Sequence, residues 1–231
     1  IACPIGTYSA STSAVTACSN PGIGNCVAAS SSDATCSSSA GSQAALPCPA
    51  GTYSASTGSV TGCLYPGKGR CTRPTSSSSS CSSSAVGAQA DLICPAGRYQ
   101  SSSFSAGYCW AVDRGYYSSS QGSQSRSACP AGRYASGYTN TGCSYPGLGK
   151  CASVNGSACS TSSAARYALP CPIGTYSSST GSVTSCHYPG IGKCAAATSG
   201  SGACSTTAGA QAVLSCPSGT YNDVATAVTA G

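Results

Sequence analysis

The chain has 231 residues and a formal charge of +6, from ten Lys and Arg against four Asp. Ile, Leu, Val and Phe together make up roughly a tenth of it, too little for hydrophobic burial to offset the entropy of ordering the chain. Nineteen cysteines put it instead among disulfide scaffolds, so covalent cross-links are expected to stand in for a core, in an oxidising compartment outside the cell.

The charges are dispersed. Lys68, Arg70 and Arg73 form the only near-cluster, whereas a nucleic-acid surface needs a basic stripe with interleaved aromatics. No nucleic-acid partner is expected; a weak attraction to acidic polysaccharide is compatible with the sign. The sequence has no Met and no apolar run of membrane-spanning length.

One stretch organises everything else. Cys-Pro-x-Gly-x-Tyr occurs at Cys3–Tyr8, Cys48–Tyr53, Cys94–Tyr99, Cys129–Tyr134, Cys171–Tyr176 and Cys216–Tyr221. Pro fixes φ and drives the preceding Cys toward an extended conformation. Gly stands where a turn needs positive φ, and Tyr supplies a large ring to cover it. Each copy reads as a stapled turn leading into a short strand.

Taken in order, repeat 1 (residues 1–47) carries Cys3, Cys18, Cys26 and Cys36, at spacings of 15, 8 and 10. Repeat 2 (48–93) has the same spacing at Cys48, Cys63, Cys71 and Cys81. A second motif follows the second Cys, as in Cys63–Cys71 (CLYPGKGRC): its Pro-Gly pair predicts a type II turn, with Tyr65, Tyr145 and Tyr188 before the Pro in three copies and Asn20 in the first. Apolar runs ahead of each new repeat, such as Ala44–Leu46, Ala90–Ile93 and Ala212–Leu214, are strand candidates.

Repeat 3 (94–128) is degenerate. Cys94 and Cys109 are present; the Pro-Gly loop and two further cysteines are not. Gly115-Tyr116-Tyr117-Ser118 echoes the Gly-x-Tyr-Ser segment of the main motif, with Val112 about where its Cys would stand. The chain's only Trp, Trp110, and only Phe, Phe104, lie here, so aromatic burial is expected to replace the lost staple.

Repeat 4 (129–170) uses Cys129, Cys143, Cys151 and Cys159, and repeat 5 (171–215) uses Cys171, Cys186, Cys194 and Cys204. Residues 216–231 start a sixth unit at Cys216, and the chain reads as a segment of a longer secreted one. Two pairings account for 19 cysteines: first to second with third to fourth, or second to third with fourth to the next first. A nested pairing, first to fourth around second to third, is a further option.

At CPAGTYSASTGSVTGC (Cys48–Cys63) and CPIGTYSSSTGSVTSC (Cys171–Cys186) the chain resembles ephrin-receptor-like cysteine-rich repeats, as found in protist surface or extracellular fibril proteins. The resemblance covers the first third of each repeat and nearly all of repeat 3. It implies a secreted, elongated, non-enzymatic module. The chain lacks the family's Cys-x-x-Cys pair and adds the Pro-Gly-x-Gly loop, so the family's pairing does not carry over.

Catalysis finds no support. The only His is His187, and Asp33, Asp91, Asp113 and Asp223 fall in different repeats, whereas a nucleophile, base and acid must converge. No metal or cofactor site is expected: zinc cysteines sit two to four residues apart, and the closest spacing here is eight. Gly147–Lys150 and Gly190–Lys193 resemble a phosphate loop but run into Cys151 and Cys194, and read as hairpin tips. Asn155-Gly156-Ser157 is an N-glycosylation sequon, and the Ser runs at 76–80 and 82–84 are candidates for O-linked glycans.

The fold expected is small, disulfide-rich, mostly β or irregular: an elongated tandem repeat of about 45 residues with little or no helix. The function expected is a glycosylated structural block of a fibril, sheath or cell-surface appendage that self-associates into a filament. The alternative is an adhesion or receptor-stalk module that binds a protein or glycan.

Overall fold

The computed structural model describes residues 1–11, 17–102 and 107–223. Among them there is no helix, and twelve short strands pair two by two into antiparallel hairpins. Contacts divide the chain into two units, Ile1–Ala111 with Ser120–Ser125, and Val112–Ser119 with Arg126–Gly231.

The turns follow from Pro and Gly. In the first unit the N–H groups of Thr7, Thr52 and Arg98 donate to the carbonyls of Pro4, Pro49 and Pro95 at 3.0–3.1 Å. The intervening Gly6, Gly51 and Gly97 have φ of 81–82°, the positive value that a type II turn requires. The tyrosine that follows is held from both sides: Tyr8 bridges Ser19 and Ser42, and Tyr53 bridges Leu64 and Ala88.

The hairpins come next. In the first unit β1 (Asn25–Ala28) pairs with β2 (Ala44–Pro47), β3 (Arg70–Arg73) with β4 (Ala90–Ile93), and β5 (Arg98–Tyr99) with β6 (Trp110–Ala111). Cys26 faces Leu46 and Cys71 faces Leu92, so the short apolar runs before each repeat are strands that cover a staple. In the second unit β7 (Tyr116–Tyr117) pairs with β8 (Ser127–Ala128), β9 (Lys150–Ser153) with β10 (Tyr167–Pro170), and β11 (Lys193–Ala196) with β12 (Ala212–Ser215).

Main-chain hydrogen bonds join successive repeats through the second glycine of each Pro-Gly-x-Gly loop. Gly24 donates to Ser54 O and accepts from Cys48 N, both at 2.8 Å. Gly69 does the same with Gln100 and Cys94, both at 2.9 Å, and Gly149 with Ser177 and Cys171 at 2.8 and 2.7 Å. The closing segment of each repeat returns to its own first Cys: Gly41, Gly87, Gly122, Ala164 and Gly209 donate to the carbonyls of Cys3, Cys48, Cys94, Cys129 and Cys171. These small residues open a recurring Gly-small-Gln phrase seven residues ahead of a Cys, with Ala164-Ala165-Arg166 as its variant. The phrase is visible in the sequence once its closing role is known.

Nine disulfides form among the described residues, first to second in each of repeats 1–5 and third to fourth in every one of them but repeat 3: Cys3–Cys18, Cys26–Cys36, Cys48–Cys63, Cys71–Cys81, Cys94–Cys109, Cys129–Cys143, Cys151–Cys159, Cys171–Cys186 and Cys194–Cys204. The cysteine spacing alone places all nineteen in disulfides. Cys216 is unpaired among the described residues, because the other eighteen are used by these nine bonds.

The interior is sulfur and small side chains. Cys71, Cys94 and Cys109 form a buried cluster, with Cys81 and Leu92 packed against it. The largest fully buried side chains include Gln100, Val27, Val112 and Thr72, and no large aromatic.

Repeat 3 departs from the expectation in two ways. Gly115 takes the place of the second loop glycine: it donates to Ala135 O and accepts from Cys129 N, both at 2.8 Å. Tyr117 therefore stands at the third cysteine's position, and Gly115–Ser118 is the counterpart of the Pro-Gly-x-Gly exit rather than of the main motif. The confusion has a physical source, since both turns place a positive-φ Gly two residues ahead of a strand residue.

Nor does burial of Trp110 replace the staple. Trp110 is 50% exposed, packed against Tyr108 with ring centroids 4.6 Å apart, and Phe104 lies outside the described residues. The loop that carries the fourth cysteine elsewhere is shortened: nine residues, 118–126, join β7 to β8, against fifteen, 29–43, between β1 and β2. The shorter loop leaves less chain to staple.

Candidate functional site

The residues weighed for catalysis do not converge. His187 is held in a backbone bridge to Tyr176, His187 N to Tyr176 O at 2.8 Å, with the two rings 6.0 Å apart. Asp33 accepts from Ser30 N at 2.8 Å, Asp91 pairs with Arg70 at 2.8 Å, Asp113 pairs with Arg126, and Asp223 is exposed.

The Gly-x-Gly-Lys loops are hairpin entries. Lys150 and Lys193 begin strands rather than helices, and the Gly149 amide is already given to Ser177. A phosphate cradle needs free amides at a helix N-terminus.

Three sulfur clusters bring Cys26, Cys36 and Cys63, then Cys71, Cys81 and Cys109, then Cys151, Cys159 and Cys186 within 4.8 Å. Each contains a disulfide pair, and metal ligation needs thiolates, so these are stacked staples.

What recurs at the surface is the turn tip. Tyr65, Tyr145 and Tyr188, each just before a Pro-Gly, are 52%, 46% and 56% exposed. Ile5, Ile23, Leu148, Ile173 and Ile191 are exposed at the x positions of the two turn motifs. Ile5 lies between Pro4 and Gly6 within the Pro4–Thr7 turn, and Ile23 between Gly22 and Gly24 within the Gly22–Asn25 turn. In repeat 4 the Arg133 guanidinium lies 4.2 Å from the Tyr145 ring centroid.

Asn155 is exposed in the loop between Cys151 and Cys159. Its Oδ1 accepts from Ser157 N at 3.1 Å, and Gly156 N donates to Ser153 Oγ at 3.0 Å. The sequon is thus folded as an Asx turn on an exposed loop.

No family model matches the chain, and no curated protein matches it. The nine disulfides fit an extracellular protein, and among the described residues no helix is long and apolar enough to cross a membrane.

Proposed function

We propose that the chain is a non-enzymatic, glycosylated repeat block of an extracellular structure, a fibril, sheath or cell-surface appendage, related to ephrin-receptor-like cysteine-rich repeats. The observation that carries this reading is the recurrence of exposed Tyr and Ile or Leu at equivalent turn tips, on hairpins whose interiors are closed by disulfides. Isolated exposed apolar residues are ordinary on a surface. The same residues at the same place in successive units offer repeated contact points for another copy of the chain. Main-chain bonding from one repeat to the next gives those tips a fixed setting within each unit.

Electron microscopy of native, non-reduced protein tests this. Regular filaments whose axial period matches one or several repeats are expected. Serine substitution of Tyr65, Tyr145 and Tyr188 together is expected to dissolve them without altering the disulfides. Dispersed single molecules at every concentration would overturn self-assembly. The alternative reading, an adhesion or receptor-stalk module, is favoured by a cleft in the second unit that is lined by Arg114, Arg126 and Arg166.

A further inference from the structure

Five side chains around repeats 3 and 4 differ from their counterparts in the other units, and the differences converge. Asp113 stands where the other loops have Gly22, Gly67, Gly147 and Gly190. Arg114 replaces a residue that is Ile or Leu in three of four loops, and Arg126 one that is Ala45, Asp91, Ala168 or Val213. Arg166 replaces Gln43, Gln89, Gln124 and Gln211, and Tyr138 replaces Thr57 and Thr180. All five, with Tyr116, line one cleft of about 300 Å³ in the second unit.

Part of this set is structural. Arg126 pairs with Asp113 and lies 4.4 Å from the Tyr116 ring centroid, and Asn140 Nδ2 donates to Tyr116 O at 3.1 Å. Those contacts tie down the shortened hairpin that lacks a staple. They do not need Arg114, Arg166 or Tyr138.

The remainder is a surplus of positive charge beside an exposed ring. Three guanidinium groups face one carboxylate across the cleft, and Arg114 sits 5.5 Å from the ring centroid of Tyr138, which is 62% exposed. In a chain with so few charges, Arg114 and Arg166 line a cleft in which Asp113, already paired with Arg126, is the one acid among the described residues. A planar guanidinium grips a carboxylate or sulfate in bidentate fashion, and an exposed tyrosine ring offers an apolar face to a sugar. A single cleft, not a stripe, is too short to track a polynucleotide backbone.

We propose that this cleft binds an anionic saccharide, with Arg114 and Arg166 on the carboxylate or sulfate and Tyr138 beneath the ring. The proposal stands apart from self-assembly and is read by a separate measurement.

The test uses the full disulfide-bonded chain and immobilised polygalacturonate (carboxylate), dextran sulfate (sulfate), neutral dextran and single-stranded DNA. Salt-sensitive retention on one or both acidic polysaccharides, and none on dextran, is expected. R114Q/R166Q is expected to weaken it by roughly tenfold for each guanidinium removed. K68Q/K193Q lowers the net charge equally, at exposed positions outside the cleft, and is expected to bind as wild type. Equal loss in both variants would reduce the effect to general charge and overturn the proposal. So would retention on neither polysaccharide, binding unaffected by R114Q/R166Q, or tighter binding to DNA than to either acidic sugar.

Discussion

A Cβ on Gly69 would lie 2.1 Å from the carbonyl oxygen of Gly122, so the backbones of two segments far apart in sequence touch with no side chain between them. The same contact joins Gly24 to Gly87 at 2.3 Å, Gly115 to Ala164 at 2.2 Å and Gly149 to Gly209 at 2.2 Å. Gly67, two residues earlier, also has positive φ but has nothing within 4 Å of its Cβ position. The pair separates two effects of one substitution. Gly67→Ala is expected to cost about 1 kcal/mol, the strain of an L residue at positive φ. Gly69→Ala carries that strain and also forces two backbones apart, adding about 1–3 kcal/mol. Denaturant unfolding of both variants checks the ordering.

The staples are close enough to exchange. Cys36 Sγ lies 3.9 Å from Cys63 Sγ, Cys81 3.5 Å from Cys109, and Cys159 3.8 Å from Cys186. Once one bond of such a pair is opened, its thiolate is placed to attack the next. Substoichiometric reductant, followed by alkylation and peptide mass mapping, is expected to yield Cys36–Cys63, Cys81–Cys109 and Cys159–Cys186 ahead of other non-native pairs. A random mixture of shuffled bonds would exclude this route.

Tyr53 links stability to alkaline pH. Burial, and then the Asp91 carboxylate, raise its hydroxyl pKa above the ordinary 10.0, with Arg70 partly offsetting them. The folded state therefore holds the phenolic proton more tightly than the unfolded chain does. The associated stability is present in full below pH 10 and is lost as pH rises through the higher folded value. Tyr53→Phe is expected to flatten the decline in stability above pH 10 and to remove a late-ionising component from the phenolate absorbance titration.

Asn155 is expected to carry a glycan when the chain is secreted from a eukaryotic host. The peptide spanning Cys151–Cys159 then gains hexose-containing mass that an amidase removes, leaving Asp. Asn155→Gln abolishes the gain, and its exposed loop position leaves the disulfide map unchanged. An unmodified Asn155 in secreted material would remove the sequon from the account.

Much of the fold was legible because its determinants are local. Pro4 and Gly6 fix a turn by their own torsional limits, and Cys3 with Cys18 fixes a loop by spacing. The runs Ala44–Leu46 and Ala90–Ile93 became strands because they flank those turns. Pairing was not legible: 19 cysteines at regular spacing fit more than one scheme, and sulfurs of neighbouring pairs such as Cys36 and Cys63 lie within 3.9 Å, so only the folded chain shows Cys26–Cys36 and Cys48–Cys63. Repeat 3 misled for a related reason. Gly115 serves a turn shared by both motifs, so its neighbours match either one, and the tertiary bonds to Ala135 and Cys129 decide. The cleft residues were invisible as a site because Arg114, Arg126 and Arg166 are scattered singly in sequence and gather only when hairpins from repeats 3 and 4 meet.

The central claim is that sulfur takes the place of a hydrophobic core. Each closed loop of eight to fifteen residues stabilises by roughly 2.5–3 kcal/mol in the entropic treatment, so nine of them exceed the roughly 5–15 kcal/mol by which typical domains are stable. Amide hydrogen exchange on the native chain and on the reduced, alkylated chain, both without denaturant, tests this most directly. Protection of the amides of Gly24, Cys48, Gly69 and Cys94 is expected in the native chain and is expected to vanish on reduction alone. Protection that survives reduction would mean that packing and hydrogen bonds hold the fold without the staples.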